Sequence, residues 1–396
     1  MSKHKIAFLD LPFHRKTRSS SFFVELLSEE FEVDVFYVDT DPRATLQELA
    51  QSSYETIICW QTEFAAPYFL LVGKRVVCVP MYDGVATAPD WYWTAMAQAR
   101  FVCFSTTLHN RLKRLGLDSL SVQYFQGAGD TKAQSKFETL NGFFWQRRPE
   151  EGLDHRFVQK LIGRVVQRLH IHNAPDTENA RDWTPSGDVS VSHFTESGDE
   201  YKAALTASNI YVAPRMTEGI GHTITEAMSR GMCVVAHDEV TANEYIVDGV
   251  NGILIDYGNP PQFVRYPERT AVEKEIVLTP AKANRLGESA RRSFEKGLET
   301  WTQARHAVLY YVLTTPKADF GPNSNEFVQK YLALTKYARS DFGLFLARLA
   351  SFLRSGYDPR EYATVSFLEA LSFRFRALPG VQNLARIAKK VLTFRR

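Results

Sequence analysis

Short apolar runs rich in β-branched and aromatic residues recur along the first 130 positions: KIAFLD, VDVFYV, TIICW, RVVCVP, RFVCFS and SVQYF. Amphipathic segments or turns separate most of them, as at 20–30 and 108–115. Strand-length runs alternating with helix-period stretches predict a parallel sheet covered by helices. A second series follows the polar stretch GAGDTKAQSK and comprises GFFWQ, RVVQRLHI, DVSVSHF, NIYVAP, MCVVAH and GILIDY. The chain therefore reads as two α/β sheets, one for each series of runs. From position 281 the spacing turns helical through LGESARRSFEKGLETW and ARHAVLYYVLTTP, and Pro316 closes that run. Residues 317–396 read as an additional helical region that neither sheet requires.

At 396 residues the chain is long enough for two such cores, since single cores stop growing well below this length. A net charge of +2, from 47 basic and 45 acidic residues, gives the whole molecule no general attraction for nucleic acid. The distribution is uneven: residues 370–396 hold seven Lys/Arg and no Asp/Glu, which leaves −5 for the remainder. Cys59, Cys78, Cys103 and Cys233 lack metal-ligand spacing and are expected to be buried, reduced thiols, as in a cytosolic protein. The first residues, MSKHKIAFLD, enter a strand with no signal-peptide pattern, and the longest apolar run, AAPYFLLVG, is about half of a membrane span. A cytoplasmic protein is the expectation.

The densest chemistry lies at 214–231, PRMTEGIGHTITEAMSRG. Glu218 and Glu226 stand with seven residues between them, the first in a glycine-bearing turn after NIYVAP and the second on a predicted helix. Residues 223–226 form a capping-box pattern, in which the Thr223 hydroxyl accepts from the amide of Glu226 and the carboxylate returns to the amide of Thr223. On that reading the helix runs over residues 224–230, and Gly231 closes it in a left-handed conformation. Glu218 has no comparable local use. In an open α/β sheet the loop after a strand lies at the carboxyl end, where ligands bind. Glycines there admit close backbone approach, and the free amides of a helix start attract an anion. A phosphate at the helix start, with carboxylates placed to accept from sugar hydroxyls, is the predicted use.

This ordered set of strand, Glu, Gly, Gly, helix and Glu resembles the retaining glycosyltransferases of the GT-B fold, specifically the large family 4-like group (glycosyl transferases group 1). The stretch GMCVVAHDEVTANEYIVDGVNGILIDY is similar to that group's strand, loop, E-x-I/V-x-x-G-x-x-G and following strand. The likeness is dense over 203–257 and looser over the remainder of 1–316. It implies an α/β fold of two Rossmann-like domains facing a cleft, plus a C-terminal helical extension. The implied acceptor domain is 1–130 with a return helix at about 303–316, the nucleotide-sugar domain is 131–302, and the extension is 317–396. Carried over, the family's roles put the donor sugar on Glu218 and the ribose hydroxyls on Glu226. Gly219, Ile220, Gly221, His222 and Thr223 then lie near the diphosphate and sugar. Asn243 and Glu244 are donor-side candidates, or else plain helix-start residues of a second capping pattern beginning at Thr241.

The chain also departs from the family, whose second domain commonly begins with a strand ending in Gly-Arg and then Lys-Gly, the two cations clamping the diphosphate. Here FFWQRRPEEGLD puts Arg147 at the arginine but Glu151 where the lysine is expected. The candidate second cation is Arg148 or Arg215, because a departing diphosphate needs preorganised positive charge. A solvated surface charge is the competing reading of Arg148. In the first domain, LPFHRKTRSSSFF replaces the usual double glycine, and His14, Arg15, Lys16 and Arg18 are candidates for an acceptor phosphate or ordinary loop cations. In VPMYDGVATAPDWYW, Asp83 with Tyr82 is the acidic candidate for an acceptor contact or base, against an Asx turn before Gly84. His109, His193 and His222 show no triad or metal partner.

The implied reaction moves a sugar from a nucleotide diphosphate to an acceptor hydroxyl with retention, in cell-surface glycan synthesis. It needs no protein nucleophile, because the leaving phosphate takes the acceptor's proton. No cofactor or metal is expected, since arginines and backbone dipoles neutralise the phosphate; the partners are a nucleotide-sugar donor and a glycan or lipid-linked acceptor. The tail places Val381, Leu384, Ile387, Ala388 and Val391 on one helical face, with Arg386, Lys389, Lys390 and Arg395 largely elsewhere. Such a helix suits peripheral contact with the anionic inner face of the cytoplasmic membrane, or packing on its own domain or in an oligomer. Two rival functions fit the same fold: a nucleotide-sugar 2-epimerase, which should bring more acid–base pairs together, and a non-catalytic nucleotide-sugar-binding protein.

Overall fold

The computed structural model describes residues 3–38, 42–86, 88, 90–94, 96–127, 135–149, 153–175, 188–195, 197–256 and 276–319, the side chains of Arg43 and Trp91 apart. Glu151 and the expected helical extension from 320 onward, with its basic amphipathic segment, lie outside these residues. The chain divides into two compact units, one of Met1–Val122 with the segment from Gln303, the other of Gln123–Thr302.

The first unit holds strands β1 (His4–Asp10), β2 (Phe31–Tyr37), β3 (Thr56–Trp60), β4 (Arg75–Val79), β5 (Arg100–Cys103) and β6 (Ser119–Ser121). They form one parallel sheet in the order β2-β1-β3-β4-β5-β6. Its central strands have no polar alternation because both faces are covered: every residue of β3 is buried. The helices are α1 (His14–Thr17), α2 (Ser21–Leu27), α3 (Arg43–Gln51), α4 (Ala66–Leu71), α5 (Tyr82–Val85), α6 (Asp90–Thr94) and α7 (Thr106–Arg114). Phe8, Phe23, Trp60 and Phe104 pack edge to face or tilted on one side, and Leu9, Ile57, Phe69, Trp93 and Phe101 are fully buried. The sixth strand is earlier than its apolar run suggested. Tyr124 and Phe125 of SVQYF are instead buried in the second unit, against Trp301, Tyr245 and Phe294.

The second unit holds β7 (Asn141–Gln146), β8 (Arg168–Asn173), β9 (Val189–His193), β10 (Ile210–Ala213), β11 (Cys233–His237) and β12 (Ile253–Ile255). They too are all parallel, in the order β12-β11-β10-β7-β8-β9. The expected pair of parallel six-stranded Rossmann-like sheets is thus the observed fold. Its helices are α8 (His155–Ile162), α9 (Asp199–Thr206), α10 (His222–Ser229) and α11 (Ala242–Tyr245), with α12 (Pro280–Leu313) beginning in this unit and ending in the first. One face is aliphatic, with Phe144, Ile171, Val212, Val235 and Leu286 in a common cluster. The other is aromatic: Phe143 stacks between Tyr211 and His170, at 5.8 and 5.7 Å between ring centroids. Alpha-12 is anchored where glycines meet, for a Cβ on Gly287 would come within 2.1 Å of the Gly231 carbonyl. All four cysteines are free and buried, as expected. Among the described residues no helix is long and apolar enough to cross a membrane.

Candidate functional site

In the second sheet β8 and β9 extend to one side of β7, and β10 to β12 to the other, so the strand order reverses between β7 and β10. Loops leaving the carboxyl ends of two such strands diverge and open a crevice between them. Arg147 leaves β7 at this point, and the segment from Pro214 to Gly221 leaves β10. The fold therefore brings to one crevice residues that are about 70 positions apart in sequence, the usual ligand position of open α/β sheets.

Glu218 is 7% exposed. Its Oε2 accepts from Arg215 Nη1 at 2.9 Å, and the side chains of this pair are 11% and 9% exposed for Arg215 and Glu218. Glu218 is further held by its backbone, whose carbonyl accepts from the Thr241 hydroxyl at 2.8 Å. Thr241, fully buried, has φ 76° and ψ −52°, close to the strained γ-turn that β-branched residues rarely adopt. Its hydroxyl therefore serves the Glu218 loop and does not cap α11, so no capping box begins at Thr241. Asn243 is exposed and donates to Asp238 at 3.1 Å, while the carbonyl of Glu244 accepts from Gln123 at 2.8 Å.

The capping box expected at 223–226 is also absent. Alpha-10 starts two residues earlier, at His222, with Gly221 as its N-cap in left-handed conformation (φ 74°) and no side-chain cap. A Cβ on Gly221 would stand 3.3 Å from the Tyr245 ring, a second reason for glycine there. With Gly221 ending the loop, Thr223 lies inside the first turn and its side chain hydrogen-bonds Tyr211. Glu226 turns away from the amides: Oε2 accepts from the Tyr201 hydroxyl at 2.9 Å and Oε1 from Arg230 at 3.4 Å. Gly231 does follow the helix in the expected left-handed conformation, φ 68°.

Arg147 stands over the Trp145 ring, 5.1 Å from its centroid. Burial pushes the His222 imidazole down to about 4, and the Arg147 charge adds to that shift. Tyr211 is raised by burial; its hydrogen bond from Thr223 and the Arg147 charge oppose, while Glu218 and Glu226 add. Both glutamates and Arg147 thus act on one buried phenol, which fixes them in a single neighbourhood. His222 also packs edge-on to Tyr124, at 5.0 Å. Arg148 is part-buried, and Gly219 and Ile220 line the turn between Glu218 and Gly221.

In the first unit the loop cations are not alike. His14 is a buried partner of Asp10 and no solvated loop cation; the Asp10 carboxylate also accepts from the Ser20 hydroxyl and the Leu11 amide, each at 2.7 Å. Arg15 covers the Tyr37 ring at 4.2 Å, and Arg18 ends α1 in left-handed conformation, φ 53°. Tyr82 and Asp83 are part-buried within α5, and Gly84 lies inside that helix with no positive φ. His109 meets Ser119 at 2.9 Å, and His193 ends β9 exposed. Tyr201, Arg230 and Asp10 escaped the sequence reading, which gave Thr241 only as a helix cap. The period-2 rows Phe143/Trp145, His170/His172 and Ser190/Ser192 were a legible sign of an aromatic and polar sheet face.

Residues 180–293 match the family model described as "Glycosyl transferases group 1". The alpha-maltose-1-phosphate synthase of Mycobacterium tuberculosis is 31% identical over 94 residues, 24% of this chain and 24% of that protein. The sucrose synthase of Melioribacter roseus is 41% identical over 61 residues, 15% of this chain and 8% of that one. The chain thus spans at most a quarter of the length of these curated relatives. Among solved structures, sucrose-phosphate synthase from Thermosynechococcus elongatus superposes with a TM-score of 0.57 at 15% identity, covering 78% of this chain and 99% of that one. The chain contains a glycosyl transferases group 1 domain, carried on a GT-B fold.

Proposed function

We propose that the chain transfers a sugar, with retention, from a nucleoside-diphosphate donor to an acceptor hydroxyl in glycan synthesis. The observation that carries this is the crevice between β7 and β10, where Glu218, Arg215, Arg147 and the amino end of α10 converge inside the matched family segment. In this reading the diphosphate rests against the free amides of α10, whose dipole favours an anion. Arg147, with Arg148 or Arg215, balances the charge that grows on the leaving phosphate. Glu218 accepts from a hydroxyl of the donor sugar, and Glu226 from the ribose. As the sugar–phosphate bond breaks, the anomeric carbon bonds to the acceptor oxygen on the same face, and the acceptor's proton passes to the departing phosphate oxygen. His222, held neutral by burial, adds no charge to this site.

Acceptor contacts are assigned to His14, Arg15, Arg18, Tyr82 and Asp83. His14 contributes through its pair with Asp10, which orients the ring. A lipid-linked or glycan acceptor is favoured by the basic residues of 370–396, which would also suit a peripheral membrane position on the cytoplasmic side. Metal independence is part of the proposal; residues 39–41, DTD, form the sequence's one Asp-x-Asp spacing and lie outside the described residues.

The test is incubation of the full chain with UDP-, GDP- and dTDP-linked sugars, with and without EDTA. Sugar transfer, or slow donor hydrolysis with retained anomeric configuration, supports the reading. Epimerisation at C2, or binding with no turnover across acceptors, would replace it with one of the rival functions. Activity abolished by EDTA and restored by a divalent cation would overturn metal independence alone.

A further inference from the structure

The carboxylate of Glu226 is held by groups outside its own turn. Tyr201 donates to Oε2 at 2.9 Å, and Arg230 reaches Oε1 at 3.4 Å while its other terminal nitrogen donates to Thr206 at 3.2 Å. Tyr201 and Thr206 both belong to α9, so one helix braces the acidic and the basic residue of its neighbour. The Tyr201 ring is enclosed by Phe143, Trp145 and His172, at 5.5, 5.4 and 5.2 Å, all three with steep interplanar angles. Packing on three sides leaves the ring little room to pivot, and its hydroxyl is presented at one place. Burial and the adjacent Glu226 hold the phenol protonated, so it remains a donor wherever the carboxylate is ionised.

Resting on the reading that Glu226 grips the ribose, we propose that Tyr201 is a positioning residue for the nucleotide, fixing the Glu226 carboxylate so that both oxygens meet the 2′- and 3′-hydroxyls. Each carboxylate oxygen has two acceptor sites. One site on each is taken by Tyr201 and Arg230, which leaves one on each for a diol that donates twice. A glutamate without such bracing must give up its side-chain rotamer freedom when the ligand binds, and affinity falls by that amount.

The experiment is calorimetric titration of the full chain with UDP and GDP and with their 2′,3′-dideoxy forms, for the native chain, Tyr201→Phe and Glu226→Gln. Tyr201→Phe should weaken the ribonucleotide about tenfold, equivalent to ~1.4 kcal/mol, and leave the dideoxy form unchanged. In turnover, donor KM should rise by a similar factor with kcat held. Arg230→Met should show a smaller loss of the same kind, which keeps the idea testable were Tyr201→Phe unable to fold. Equal weakening of both nucleotide forms would mean the phenol only packs, and no weakening of either would mean it positions nothing; each overturns the proposal. A Glu226→Gln chain that keeps the full ribose preference removes the ribose reading itself, and the proposal with it. Loss of that preference in Glu226→Gln but not in Tyr201→Phe removes the proposal alone.

Discussion

Replacing Arg215 by methionine isolates the electrostatics of the site. The pair it forms with Glu218 is short, 2.9 Å, and both side chains are nearly inaccessible, 11% and 9%. It is therefore unlike a surface ion pair, whose value is commonly below about 1 kcal/mol. At an effective dielectric of about 20, charges this close attract by roughly 6 kcal/mol before desolvation is counted. Removing one partner of a buried pair costs about 3–5 kcal/mol, because the other charge stays out of water without its counterion. For a unit of this size that lowers the melting temperature by roughly 6–20 °C. The assay is urea unfolding followed by circular dichroism, for Arg215→Met, Glu218→Gln and the double variant in a thermodynamic cycle. The double variant should recover more than half of the loss, since no buried charge remains. If Arg215→Met unfolds within about 0.5 kcal/mol of the native chain, the pair does not stabilise the loop and the reasoning is refuted.

Three further outcomes are expected. His222 has its folded pKa depressed to about 4 by burial, below the ordinary 6.5. Its contribution is fully present above pH ~6.5 and lost as pH falls toward ~4, by at most about 3 kcal/mol; His222→Gln should make the pH dependence of unfolding midpoints measured between pH 7 and 4.5 less steep, leaving the slope due to His172, also lowered to about 4, and to His109, His155, His170 and His237, which burial lowers as well. At Thr241, alanine loses the hydroxyl's bond to Glu218 but keeps the unfavourable φ of 76°, so Thr241→Ala should destabilise by about 1 kcal/mol and Thr241→Gly by less, which chemical denaturation can rank. Gly287→Ala meets backbone at 2.1 Å and should cost about 1–3 kcal/mol, whereas Gly84→Ala, with nothing within 4 Å, should be neutral or stabilising by about 0.5–1 kcal/mol in thermal melts.

Much of the architecture was legible along the chain. The runs around Ile6, Ile57, Val77, Val212 and Val235 are largely apolar, as strands buried on both faces are. The Glu218 to Glu226 spacing and the glycines between them pointed to the candidate site, because glycine between a strand and a helix admits close backbone approach. The two capping boxes were misread for a common cause. A local pattern offers Thr223, Glu226 and Thr241 a backbone partner nearby, but Tyr211, Tyr201 with Arg230, and the Glu218 carbonyl compete for the same side chains. Except for Arg230, those competitors come from other elements, so neighbouring sequence cannot reveal them.

By itself, then, the sequence determined the strand and helix alternation, the position of the glycine-bearing turn and the residue types available there, since these follow from local hydrophobic period and backbone freedom. Only the tertiary structure decided that β10 lies beside β7, that His14 is buried against Asp10, and that Arg215 closes on Glu218. The physical reason is that desolvation and charge pairing depend on what fills the space around a group, and that space is bounded by residues far away along the chain.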